Sequence, residues 1–179
     1  EAVDLRDGGN AFGGLDVTNA LAGVNGPIAS ALRAKDAYDQ AGIDAALVEL
    51  DGTPNLSRLG GSAVVATSMA VLHAAAASSG QPLWRYLAGD GPVRMPLPEI
   101  QIFGGGAHAA RRVDVQDFMV MCPSAGSFSE ALEWTAEVYR AAGALMKQAD
   151  KLQGVADEGG YWPAFDSNEE ALEALTRAI

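Results

Sequence analysis

Between Gly104 and Met119 the chain gathers most of the residue types that chemistry needs. The run Gly104-Gly105-Gly106-Ala107-His108-Ala109-Ala110-Arg111-Arg112-Val113-Asp114-Val115-Gln116-Asp117-Phe118-Met119 holds glycines, a histidine, two arginines, a glutamine and two aspartates. Further on, Ala156-Asp157-Glu158-Gly159-Gly160 offers carboxylates between an apolar strand and a turn. His108 on a glycine loop is a proton shuttle, a phosphate or metal ligand, or a plain solvated histidine. Asp117 sits in an otherwise apolar strand, where a carboxylate is costly without a partner. Glu158 is either a general acid with a raised pKa or a simple turn carboxylate. Asp114 reads as the ion-pair partner of Arg111 or Arg112. Gly104 to Gly106 can serve as a mobile lid, because glycine tolerates the backbone changes of closure. The two stretches read as two walls of one site.

Other chemistries find no motif. No G-x-G-x-x-G opens a helix and no lysine–serine pair follows the glycines, so this is not a nucleotide loop. There is no H-E-x-x-H, no cysteine cluster and no G-x-S-x-G elbow. The residues alone give a polar site with acid, base and anion-binding groups.

The elements that must position these groups fall into two halves. Before residue 91 the pattern is helical. Asp16 can cap a helix with Val17, Leu21, Val24 and Ile28 inward, which Pro27 should kink or restart. A helix from Asp36 to Leu50 turns Tyr38, Ile43 and Leu47 inward, and Asp51-Gly52-Thr53-Pro54-Asn55 is a turn. Ser62 starts an alanine-rich helix stopped by Gly80, with His73 on its surface or at the core edge, and Gln81 or Pro82 opens a short one. The proline- and glycine-rich stretch from Gly89 to Pro98 is the best domain boundary, giving domains 1–91 and 92–179. After it, Glu99–Phe103 and Val115–Met121 read as strands. Ser127 with Glu130, and Ser167 with Glu170, are capping boxes for two further helices. The first should run to about Lys151, with Leu132, Trp134, Val138, Tyr139, Leu145 and Met146 inward. Gly154-Val155-Ala156 reads as a short buried strand. This order resembles the opening of a βα barrel that the chain is too short to close.

Bulk properties narrow the classes. A net charge of −11 disfavours a nucleic-acid binder or an anionic membrane surface. The apolar stretch Ala63–Ala77 is too short to span a bilayer. Cys122, the single cysteine, allows no internal disulfide, reads as a structural thiol, and fits a reducing cytoplasm. The chain starts at Glu1 without methionine, so its beginning reads as an edge.

Several collinear segments carry a family likeness. Glu1-Ala2-Val3-Asp4-Leu5-Arg6-Asp7-Gly8, Val24-Asn25-Gly26-Pro27-Ile28-Ala29, Asp39-Gln40-Ala41-Gly42-Ile43-Asp44, Leu50-Asp51-Gly52-Thr53, Gly105-Gly106-Ala107-His108-Ala109, Val113 to Met119, and Asp157-Glu158-Gly159-Gly160 resemble enolase (phosphopyruvate hydratase) segments. The resemblance implies an α/β fold with an α+β cap. The helical part of an enolase N-terminal capping domain would be followed by the first strands and helices of a (β/α)8 TIM-like barrel. It implies a Mg²⁺-dependent carbon–oxygen lyase of glycolysis that dehydrates 2-phosphoglycerate to phosphoenolpyruvate, a lysine taking the C2 proton. Glu158 matches the glutamate that helps the C3 hydroxyl leave. His108 matches the histidine near the substrate phosphate, Gln116 a substrate-site glutamine, and Asp117 the position of a second glutamate. The Mg²⁺ ligands and catalytic lysines would lie downstream of Ile179, so no metal ligand is assigned and this segment alone should be inactive. A small phosphorylated acid would be the substrate, and a homodimer or larger assembly would form in the cytoplasm.

The departures open alternatives. Asp117 is a methylene shorter than glutamate, Ala107 replaces a glutamate, Gly104 replaces an asparagine, and Arg111 and Arg112 replace small polar residues. These changes either tune the site for a different anionic substrate or are drift in a loop. The alternatives are a paralogue acting on a phosphonate or other acid, similar to carboxyphosphonoenolpyruvate synthase, or a non-catalytic enolase-like binding protein.

Overall fold

A computed structural model describes residues 1–179, with His108 described by its backbone alone. The chain divides into two compact units, Glu1–Val93 and Arg94–Ile179.

In the first unit, buried Ala20, Ile28, Ile43, Leu47, Leu59, Ala63 and Val64 form the core. Helix α1 spans Thr18–Gly23, a π-helical turn carries Pro27 through Val24–Ile28, and α2 continues as Ala29–Leu32. Pro27 has no N–H to give to a regular helical ladder, so the chain widens there instead of breaking. Asp16 does not cap the helix as the sequence predicts. Its carboxylate accepts from the next residue, Val17 N–H, at 2.8 Å. Asp7 does the capping, its carboxylate accepting from Thr18 N–H at 2.8 Å, Asn19 N–H at 2.9 Å and the Thr18 hydroxyl. Leu21 is 54 % exposed, so the inward stripe runs through Ala20 rather than Leu21. Helix α3, Gln40–Asp51, starts later than expected, and its cap Asp39 accepts from Gly42 N–H at 3.0 Å. Tyr38 therefore precedes the helix, is exposed, and hydrogen-bonds Ser78 through its hydroxyl. Ile43 and Leu47 do point inward.

Helix α4, Gly61–Ser78, packs against α3. It corrects the length expected of the apolar stretch: with 18 residues and a mean hydropathy of 1.3 it is long and apolar enough, by length and composition, to cross a membrane. Here it buries Gly61, Ala63, Val64, Ala75 and Ala76, and its Ser68 hydroxyl donates to Asp44 on α3 at 2.6 Å. His73 is exposed on it. Short α5, Leu83–Ala88, follows Pro82.

The second unit is a mixed four-stranded sheet in the order β2-β1-β4-β3. Strand β1 is Glu99–Gly104, β2 Asp117–Met121, β3 Leu152–Val155 and β4 Tyr161–Pro163. β1 pairs antiparallel with β2 and parallel with β4, and β3 pairs antiparallel with β4. Helices α6, Phe128–Gln148, and α7, Asn168–Ala178, complete it. Both serine caps form, Ser127 accepting from Glu130 N–H at 3.1 Å and Ser167 from Glu170 N–H at 3.2 Å. The Glu130 and Glu170 carboxylates reach one residue further back than a capping box requires, to Gly126 N–H at 2.5 Å and Asp166 N–H at 2.9 Å. The core is built on Ile102, Phe103, Phe118, Val120, Met146, Phe165 and the alanines of α7.

Three expectations need correcting here. α6 stops at Gln148, and Asp150 turns the chain with a positive φ of 55°. Leu132 and Trp134 are exposed, because the buried stripe of α6 is the small series Ala131, Thr135 and Ala142 with Met146. The strand at Gly154 is not buried: Val155 is 58 % exposed, since β3 is an edge strand whose partner β4 escaped the sequence reading.

Candidate active site

A cavity of about 720 Å³ lies along β1 and β2 under α6 and the β3–β4 turn. Glu99, Gln101, Asp117, Met119, Thr135, Tyr139, Arg140 and Glu158 are among its lining residues. Two of the carboxylates singled out in the sequence, Asp117 and Glu158, thus meet at one cavity. β2 delivers Asp117 from its first residue, because the antiparallel pairing puts Asp117 beside Gly104 at the end of β1.

Asp117 is half-buried and accepts hydrogen bonds from two side-chain amides. Gln101 donates through Nε2 to Oδ1, and Gln116 through Nε2 to Oδ2 at 3.3 Å. Gln101 spends its other end on the opposite wall, where its Oε1 accepts from Gly160 N–H at 2.9 Å. Glu158 is exposed on the β3–β4 turn. That turn is closed by Ala156 N–H to Gly160 O at 2.8 Å and Gly159 N–H to Ala156 O at 2.9 Å. The Tyr139 hydroxyl donates to Gly159 O at 2.9 Å, which ties α6 to the residue beside Glu158. Tyr139 also stacks on Tyr161, with ring centroids 4.2 Å apart and planes 17° apart. Burial, and then the neighbouring Tyr139, raises the Tyr161 phenol above its ordinary value. Gly143 makes room for that phenol: a Cβ there would lie 2.3 Å from the Tyr161 hydroxyl.

The glycine loop is packed rather than open. Gly105 N–H donates to Gln116 O at 2.6 Å and Gly106 N–H to Val113 O at 2.9 Å. A Cβ on Gly105 would fall 1.9 Å from Val115 O, so this glycine serves close approach of two main chains. The lid expected at Gly104–Gly106 is a laced connection, and Gly104 itself belongs to β1. The His108 backbone lies in the 3₁₀ turn Gly106–Ala109, and its side chain lies outside the described residues.

Arg111 and Arg112 do not line the cavity. Arg112 pairs with Asp166 at 3.0 Å and reaches Phe165 O at 3.4 Å. Asp114 is therefore not its partner. The main-chain N–H groups of Asp114 and Val115 instead donate to Asn168 Oδ1 at 3.1 and 3.2 Å. Arg111 has a positive φ of 61° on a tight turn.

The sequence assigns no site role to Gln101, Tyr139 or Gly160. Gln101 left one signal, a lone amide inside Ile100-Gln101-Ile102-Phe103, where a buried polar group requires partners. Its partners are remote in sequence and leave no local trace.

Among the described lining residues, Glu99, Asp117 and Glu158 are acids and Arg140 the one base, itself paired with Glu137 at 3.2 Å. An anionic substrate would need positive charge from elsewhere, because unscreened like charges repel in a partly desolvated cleft. Among the described residues no group of three or more His, Cys, Asp or Glu is placed to hold a metal ion.

Comparison with known proteins returns two adjacent matches. The model for the enolase N-terminal domain matches residues 1–87, and that for the enolase C-terminal TIM barrel domain matches residues 92–179. Enolase 1 of Desulfitobacterium hafniense (strain Y51) is 48 % identical over 180 residues. The alignment takes in all of this chain but 41 % of that relative's length.

Proposed function

Because the chain belongs to the enolase family, we propose that the protein containing it is a magnesium-dependent lyase that dehydrates 2-phosphoglycerate to phosphoenolpyruvate in glycolysis. The observation that carries this reading is the meeting of Asp117 and Glu158 on one cavity, within a chain that matches enolase models nearly end to end. In this reading Glu158 gives its proton to the C3 hydroxyl. The C3–O bond breaks, water leaves, and the electron pair freed at C2 forms the new double bond. The C2 proton goes to a lysine outside this segment. Asp117 and Gln116 orient the substrate, and His108 is assigned to its phosphate by the family likeness. The ion's ligands are expected outside this segment, as the family likeness implies, and no step here runs through it. The same reading includes a homodimer or larger assembly and a cytoplasmic location.

A second reading, a paralogue using a phosphonate or another acid, draws on Asp117, which lines the cavity with a shorter side chain than glutamate. It draws less on Arg112, which is engaged with Asp166. The full-length protein decides between them when incubated with 2-phosphoglycerate and Mg²⁺ while phosphoenolpyruvate absorbance is followed. Turnover at ordinary enolase rates removes the second reading. No absorbance change at any Mg²⁺ concentration sinks the first.

A further inference from the structure

We infer that Gln101 is a positioning residue that sets the separation of the two walls of the site, holding Asp117 with one end of its amide and the Gly160 main chain with the other. The inference rests on the reading in which Asp117 and Glu158 act on one substrate. A glutamine amide presents a donor and an acceptor in a fixed fork. Gly160 N–H requires an acceptor, so Oε1 faces it at 2.9 Å. Nε2 then faces Asp117, a carboxylate that accepts only, and donates to it. The amide is thus oriented by its chemistry as well as its position.

Two further features show that the contact is built. Gly160 is buried, and a Cβ there would lie 2.4 Å from Gln101 Oε1, so a side chain at 160 would displace the amide from where it stands. The turn carrying Glu158 is closed on Gly160 by Ala156 N–H at 2.8 Å, so fixing Gly160 fixes the main chain of Glu158 two residues away. Side-chain lengths are matched as well: the short Asp117 is reached by a long amide. Asparagine at 101 would lack the reach to hold both partners.

The test uses the full-length protein. Gln101→Leu is expected to lower kcat about 10- to 100-fold, the usual loss when the partner of a site residue is removed. KM should change by less than about threefold, because the loss falls on the transition state. Gln101→Asn and Asp117→Glu should each lower kcat, and the double variant Gln101→Asn/Asp117→Glu should exceed Gln101→Asn alone by about tenfold, since coupled sites are not additive. A kcat unchanged in Gln101→Leu, or single effects that simply multiply in the double variant, would overturn the inference. If the unmodified protein fails to turn over 2-phosphoglycerate, the proposed function has failed, and the positioning role is read separately by hydrogen exchange. Exchange of the Gly160 amide should then speed about tenfold or more in Gln101→Leu, and unchanged exchange overturns the role.

Discussion

Asp51 in the helical unit and Asp117 in the sheet unit are both carboxylates withdrawn from bulk water, and they are held in opposite ways. Asp51 is 2 % exposed and is enclosed by main-chain donors: Thr53 N–H at 3.1 Å, Arg58 N–H at 3.1 Å and Leu59 N–H at 2.7 Å, with the Thr53 hydroxyl. Asp117 is held instead by two side-chain amides, those of Gln101 and Gln116, and it lines a cavity. A carboxylate wrapped by its own backbone organises a turn and has nothing left to offer a ligand. One held at arm's length by side chains keeps its charge at a surface that a ligand can reach. The partner type, more than burial, separates the enclosed acid from the one that lines a cavity.

The sharpest way to break that contrast is Glu158→Gln. It should lower turnover of the full-length protein by about 10²- to 10⁴-fold, the range for a lost general acid, while thermal unfolding stays in place. A variant that unfolds early would move Glu158 into the structural class with Asp51. Asp51→Ala should do the reverse. Stranding three main-chain donors, one of them on buried Leu59, should cost about 3 kcal/mol or more in denaturant unfolding, and a loss under about 1 kcal/mol would show that water replaces the carboxylate. Gly143→Ala tests the support behind Glu158. Its Cβ would meet the Tyr161 hydroxyl, so overpacking should destabilise by about 1–3 kcal/mol, measured by the same unfolding.

The smallest effect is in acid. Burial pushes the Asp51 carboxyl up, but hydrogen bonds from Thr53, Leu59 and Arg58 together outweigh it and hold it below the ordinary 3.8. A depressed folded value means that the ionised form stabilises the fold. That stabilisation is complete above the unfolded value and is lost as pH falls through the folded one. Glu170 behaves alike in the sheet unit: its Lys151 partner first, and then Asp166 N–H, hold it below 4.5. Stability should therefore fall with pH below about 4, and Asp51→Asn or Glu170→Gln should each flatten that fall in an acid titration of unfolding. An unaltered slope would remove the linkage.

What could be read from the sequence was whatever a few neighbouring residues decide. Ser127 with Glu130 and Ser167 with Glu170 announced their helices, because the cap and its partner are one turn apart. The apolar run within Val115–Met121 announced β2, and the turn at Asp51-Gly52 was plain. What escaped depends on residues brought together by folding. Asp7 caps a helix eleven residues later, where adjacent Asp16 looked the better candidate. β4 has three residues including a proline, too few for any period to show. The pairing of Asp117 and Glu158 at one cavity was legible as a possibility; the amide joining their walls was not.

Gly143 and Gly160 act as keyholes, one for the Tyr161 phenol and one for the Gln101 amide. Keyholes tie the evolutionary freedom of distant positions together. A relative that carries a side chain at 143 must shrink the residue at 161, and one that fills 160 must retract the side chain at 101 and lengthen the acid at 117. Substitutions at these sites should travel through a lineage as sets rather than singly.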